Sequence, residues 1–205
     1  MEKLDLRKEL KYLYQPSARE PVIVDVPPMR FLAVEGIGGV GAQPGFQDAL
    51  QAIFSLGYPL KFSAKKTLGI DYPLMPLEGF YWNADGGFAF DPSRPERMAW
   101  RLVMMVPDAI PDDFIEETRA EAAGKKDLPR LADVRIETIT EGPSVQIMYV
   151  GPYEGETPTT ERMLAFAAEQ GYEVAGAHHE IYIGDPNRAA PEKLKTVLRY
   201  GVHKR

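Results

Sequence analysis

The period of the apolar positions changes along the chain, and each change marks an element. MRFLAVEG (29–36) and SVQIMYVG (144–151) alternate apolar and polar residues and read as strands. Each is followed by a turn rich in glycine or proline, then by a 3.6-residue period. Phe46, Ala49, Leu50, Ile53 and Phe54 form one stripe; Met163, Leu164 and Ala167 form its counterpart. Thr157 before Pro158 suits a helix start, because proline lacks only an N–H that would be orphaned there. Gly57 and Gly171 stand where a left-handed residue would close each helix. Two further strands follow each helix, at 74–82 and 99–106 and at 177–183 and 195–203. PVIVDV (21–26) and VRIETIT (134–140) are extended lead-ins. Residues 111–125 read as a connecting helix, with acids first, lysine last and Phe114, Ile115, Thr118 and Ala122 between. Residues 2–13 read as an amphipathic helix.

The unit strand–helix–strand–strand therefore occurs twice, and the residues repeat with it. Residues 36–60 align without gaps to 150–174, with Gly41/Gly155, Pro44/Pro158, Leu50/Leu164, Gly57/Gly171 and Tyr58/Tyr172 identical. DPSR-PERMAW (91–100) parallels DPNRAAPEKLKT (185–196), and LEGFYW (77–82) parallels HEIYIG (179–184), which sets Glu78 against Glu180. The fold class expected is α+β: tandem modules related by a pseudo-twofold, antiparallel sheets forming a central groove, helices behind. The expected organisation is a single domain over 1–205. It comprises an N-terminal helix (1–20), a first module (21–108), a connecting helix (109–128) and a second module (129–205).

Composition narrows the function. With no cysteine, disulfides, zinc–thiolate sites and cysteine nucleophiles are excluded. The N-terminus is too charged for a secretory segment, and no apolar run approaches the ~18 residues of a membrane span, so a cytoplasmic protein is expected. A net charge of −6 argues against an extended nucleic-acid face and mildly favours cationic partners. The eighteen prolines and eighteen glycines punctuate short elements instead of forming a linker.

Candidate chemistry concentrates in GAHHEIYIGDP (176–186). On a strand His179, Ile181 and Ile183 share one face, while His178, Glu180 and Tyr182 share the other. A carboxylate between an imidazole and a phenol fits a cation pocket, an acid–base pair or a wet sheet face. No metal is expected, because adjacent histidines point to opposite faces and only Glu180 joins His178. Glu78 holds the corresponding place in the first copy, beside Phe80 and Trp82. A carboxylate half-buried among rings takes up a proton or a counter-cation, and ring faces add cation–π contacts of ~0.5–2 kcal/mol each. Tyr149 shares its face with Val145 and Ile147, and Tyr153 follows in the turn. His203 is expected at the surface. No phosphate-binding loop or Ser-His-Asp pattern is discernible.

LYQPS (13–17), VDVPPMRFLAVEG (24–36), DYPLMPLEGFYW (71–82), VQIMYVGPY (145–153) and HHEIYIGDPNRAAPEKLKTVLR (178–199) together resemble the GyrI-like small-molecule-binding proteins. These share their fold with the drug-binding domains of the regulators BmrR and Rob, and the resemblance covers most of the chain. It implies a ligand groove between modules, with a buried glutamate binding bulky apolar cations in the regulator members. Some stand-alone members are similar to hydrolases that open cyclopropane-bearing, DNA-alkylating compounds. The chain departs from the family in carrying Tyr81 and Tyr149 where relatives often have Trp and His, and GIGGVG where an acidic turn is common.

The reading that results is promiscuous binding of planar, apolar, often cationic molecules, a role in xenobiotic protection. The ligand residues would be Glu180, Tyr182, His178, Glu78, Phe80, Trp82, Tyr149 and Tyr153. One alternative is a cyclopropane-opening hydrolase with Glu180 as base and Tyr149 or Tyr182 as donor. The other is a protein-interaction module of the gyrase-inhibitor type. No cofactor, no direct nucleic-acid contact, no membrane and a monomer or weak dimer are expected.

Overall fold

The computed structural model describes residues 2–87, 93–125 and 127–205. Asp91 and Pro92 of the first DPxR turn lie outside them. In the second copy, Asp185 accepts the Asn187 N–H at 2.9 Å and pairs with Arg188 at 3.3 Å, a structural turn.

The chain opens with β1 (Glu2–Lys3) and two single-turn helices, α1 (Leu6–Glu9) and α2 (Lys11–Tyr14). Then come β2 (Val22–Val26), β3 (Met29–Ile37), α3 (Pro44–Ser63), β4 (Ile70–Asp71), β5 (Leu77–Asn83) and β6 (Met98–Met105). Helix α4 (Asp112–Lys125) leads to β7 (Arg135–Ile139), β8 (Gly142–Val150), α5 (Thr157–Glu169), β9 (Tyr172–Tyr182) and β10 (Lys195–Lys204). Eight strands make one antiparallel sheet in the order β2-β8-β10-β9-β5-β6-β3-β7, while β1 pairs β4 separately. The order is palindromic about the β5–β9 seam. Each lead-in strand crosses over: β2 borders β8 and β7 borders β3. The class expected from the sequence, α+β with antiparallel strands and helices behind, is the class observed.

Both long helices lie on the same face. Phe46 of α3 packs edge-on to Trp100 of β6, with centroids 5.0 Å apart. Met163 and Ala167 of α5 close over Val145, Ile147, Leu198 and Tyr200. Two local expectations are corrected. Gly57 does not end α3: the helix runs through Pro59 and a π-helical turn (Ala64–Leu68) to Gly69, at φ 71°. Gly57 is instead a buried contact with Met104, which holds the helix close to the sheet. The N-terminal helix is two broken turns, because the segment is shaped by contacts to the sheet and not by its own period. Gly171 does adopt φ 80° after α5.

Gly36 shows how tightly the first half is packed. A Cβ there would lie 2.2 Å from a Trp100 ring carbon, and Trp100 is buried. Gly36→Ala is expected to cost about 1–3 kcal/mol by overpacking, read as a lower urea midpoint at unchanged slope.

Candidate functional site

Strand β9 lies at the middle of the sheet, and cross-strand pairing determines what stands beside each of its residues. On the helix face one row runs Val34, Leu102, Gly79, Glu180, Leu198, Ile147. Glu180 is its only charge. The next row places Tyr81 opposite His178, with Tyr200 on the other side. Gly79 matters here: a Cβ would meet the Tyr81 hydroxyl at 2.5 Å, so glycine leaves the space through which that ring leans. The Tyr81 and Tyr182 hydroxyls then meet at 2.5 Å, and Tyr182 shares its strand face with Glu180.

A third acid joins from outside the strand. Glu156, immediately before α5, brings Oε1 within 3.3 Å of His178 Nε2, which also lies 3.0 Å from Glu180 Oε1. Burial works against a charged imidazole, but the hydrogen bonds to Glu156 and Glu180 outweigh it and raise His178 to about 9. Burial also raises the Glu156 carboxyl; the His178 hydrogen bond opposes this and the Glu180 charge adds to it. Burial, then the Glu180 charge, pushes both Tyr182 and Tyr81 well above the ordinary phenol value. One carboxylate oxygen, Glu156 Oε2, and the Thr196 hydroxyl beside Tyr182 are buried without a hydrogen-bond partner. Tyr153 caps the cluster, edge-on to Tyr182 at 5.7 Å.

The opposite face of β9 is buried at His179 and Ile181, as its aliphatic residues imply, but it also holds a charged network that the alternation did not anticipate. His179 stacks on Phe80 at 3.8 Å and bridges Glu78 and Glu141, each at 3.0 Å. Tyr14 of α2 donates to Glu78 at 2.7 Å. Arg199 donates to Glu141, Gln146 and the Leu13 carbonyl, so this network also anchors the N-terminal segment. Burial pushes the Glu141 carboxyl up, but His179 and Arg199 pull it down to about 2. Its folded value lies below the unfolded 4.5, so its stabilisation is present above pH 4.5 and disappears as pH falls through 2. The shift corresponds to about 3 kcal/mol. Urea midpoints measured from pH 6 down to 3 should therefore fall, and Glu141→Gln should flatten that decline.

Of the residues anticipated, Glu180, His178, Tyr182 and Tyr153 come together. Glu78, Phe80 and Trp82 stand on the other face of the sheet, with His179 and Ile181. The alignment of LEGFYW with HEIYIG is out of step by one residue, and a one-residue slip exchanges the two faces of a strand. Gly79, not Glu78, stands beside Glu180. Tyr149 lies on the helix face, but its hydroxyl donates to the Pro152 carbonyl at 2.8 Å, bracing the turn. His203 is exposed. Sequence reasoning missed Glu156 and Thr196, and it noted Tyr81 at a groove position of the family without counting it among the ligand residues; the only local signal for Glu156 was its place at the foot of the Thr-Pro helix start. It also allowed His178 a single acidic neighbour, whereas Glu156, His178 and Glu180 now hold potential ligand atoms within 4.8 Å of one another. Pockets of about 330 Å³ along α4 and about 100 Å³ between Arg7, Tyr14 and Ile183 lie elsewhere.

The palindromic sheet with two helices on one face, and a buried acidic cluster between them, is the architecture of a small-molecule-binding domain. The GyrI-like small molecule binding domain model matches residues 108–200, and the chain belongs to this family. An uncharacterized conserved protein from Listeria innocua is 34% identical, with a TM-score of 0.89 over 98% of this chain and 100% of that one. A structure described as a hydrolase from Listeria innocua is 32% identical, with a TM-score of 0.84 and the same coverage. The EcmrR C-terminal domain, 14% identical over 91% of this chain and 98% of that one, shares the fold at a TM-score of 0.54. No curated protein matches the chain. Among the described residues no helix is long and apolar enough to cross a membrane.

Proposed function

We propose that the helix-face cluster binds a small electrophilic molecule and adds water to it, with Glu180 as general base. The observation that carries this reading is a buried carboxylate, Glu180, with His178 3.0 Å from it and the joined Tyr81 and Tyr182 hydroxyls on the same face. Such an arrangement moves protons.

The substrate class is a strained cyclopropane conjugated to a carbonyl. Glu180 takes a proton from water as the water oxygen bonds to a ring carbon. The ring C–C bond breaks and its electron pair runs into the carbonyl of a conjugated dienone ring, which becomes a phenolate and takes up the proton that Glu180 removed from water. The Tyr182 hydroxyl, held beside Glu180 by Tyr81, is the donor to the developing oxyanion. The balance is substrate plus water. The full-length likeness to a protein described as a hydrolase supports this reading over the cation-binding one.

Incubation with a cyclopropane-bearing compound, followed by mass spectrometry, tests it. A gain of one water that requires Glu180 is expected. Saturable binding with the compound unchanged would establish the second reading, sequestration of flat or cationic molecules, which the surplus of one carboxylate over one imidazolium favours.

A further inference from the structure

The geometry points to a second occupant for the same cluster: we propose that Glu156, His178 and Glu180 form a binding site for a divalent first-row transition-metal ion of the zinc type. The inference uses the residues of the proposed base but does not depend on turnover.

Three observations carry it. First, the groups converge on a point and not in a chain. Two carboxylate oxygens approach the same nitrogen, at 3.0 and 3.3 Å, and the potential ligand atoms all lie within 4.8 Å. An imidazole nitrogen carries one hydrogen and can aim it well at one acceptor only. A cation would satisfy all three lone pairs at once. Ligands about 2.0–2.1 Å from a tetrahedral ion stand about 3.3 Å from one another, close to both observed separations.

Second, Glu156 Oε2 is buried without a hydrogen-bond partner, so this oxygen of the carboxylate is left for another donor or an ion. Third, the cluster is shielded: His178 and Glu180 are buried, and Tyr153 stands edge-on to Tyr182 beside them. A shell of this kind limits the access of water to a bound ion. One imidazole and two carboxylates, with no thiolate anywhere in the chain, suit zinc, manganese, cobalt or iron(II) and disfavour copper(I). Three protein ligands are the number found in open sites rather than closed structural ones. An ion held here would occupy the Glu180 lone pair that the base requires, so metal occupancy and water addition through that base exclude one another.

The test uses the full chain after chelator treatment, titrated calorimetrically with zinc chloride and with cobalt chloride, the latter also followed by visible absorption. One ion per chain is expected, with d–d bands for cobalt. Glu156→Gln and His178→Gln should each weaken binding by more than the ~100-fold that loss of an outer hydrogen bond costs. Glu156 precedes the helix at a turn, so its variant keeps the test informative if the His178 variant does not fold, as circular dichroism would show. Absence of saturable binding by the wild type, or equal binding by a folded Glu156→Gln, would overturn the site. Turnover assayed in chelator separates the two readings. Water addition without metal binding removes only the metal site; metal binding without water addition in the chelated protein removes only the hydrolase.

Discussion

Arg199→Met is expected to destabilise the fold by about 3–5 kcal/mol, a larger loss than Gly36→Ala should cause. Arg199 is 0% exposed and lies on β10 beneath the N-terminal segment. Its three nitrogens serve three separate acceptors: Gln146 Oε1 at 3.0 Å, Glu141 Oε1 at 2.9 Å and the Leu13 carbonyl at 3.0 Å. Methionine fills similar space, so the loss would not come from a cavity. It comes from Glu141, left with His179 as its remaining partner in a site where water cannot replace the guanidinium. A buried ion pair exchanged whole for apolar residues is often neutral, but removing one partner is not. Chemical denaturation at pH 7 reads the effect directly. A loss below about 1 kcal/mol would mean that the network contributes little and that the strand contacts alone hold the N-terminal segment.

Glu180→Gln is the second large effect, and it falls on turnover. The amide keeps size and hydrogen-bonding reach but cannot accept a proton from water, so water addition should drop by about 10²–10⁴-fold. Binding of the unreacted compound should change far less, since ring contacts with Tyr81, Tyr153 and Tyr182 remain. Stopped-flow binding alongside product formation separates the two. If binding and turnover fell together, Glu180 would be a binding residue and not the base.

Much of this molecule can be read from its residues. The alternation in GAHHEIYIGDP places His178, Glu180 and Tyr182 on one face, as observed, because side-chain direction on a strand follows local period alone. The 3.6-residue stripe of α3 is likewise local, and Phe46, Ala49 and Ile53 are buried along it. Gly57 and Gly171 show where local reading ends. Both occupy the same place in an internal alignment, yet one is a buried contact within a helix and the other a left-handed stop. The difference lies in Met104, a partner distant in sequence.

By itself, then, the sequence determined most of the long elements, the α+β class and the three β9 residues that share a face. Tertiary structure alone decided that His178–Ile181 of β9 are buried on both faces, one on the side that carries α5 and the other beneath the N-terminal segment. It also brought Glu156 and Tyr81 to Glu180 and carried Glu78, Phe80 and Trp82 to the far side. The physical reason is register. Periodicity orients side chains within one strand, but the face a neighbouring strand presents depends on hydrogen-bond pairing between segments about a hundred residues apart, and one residue of slip there reverses it.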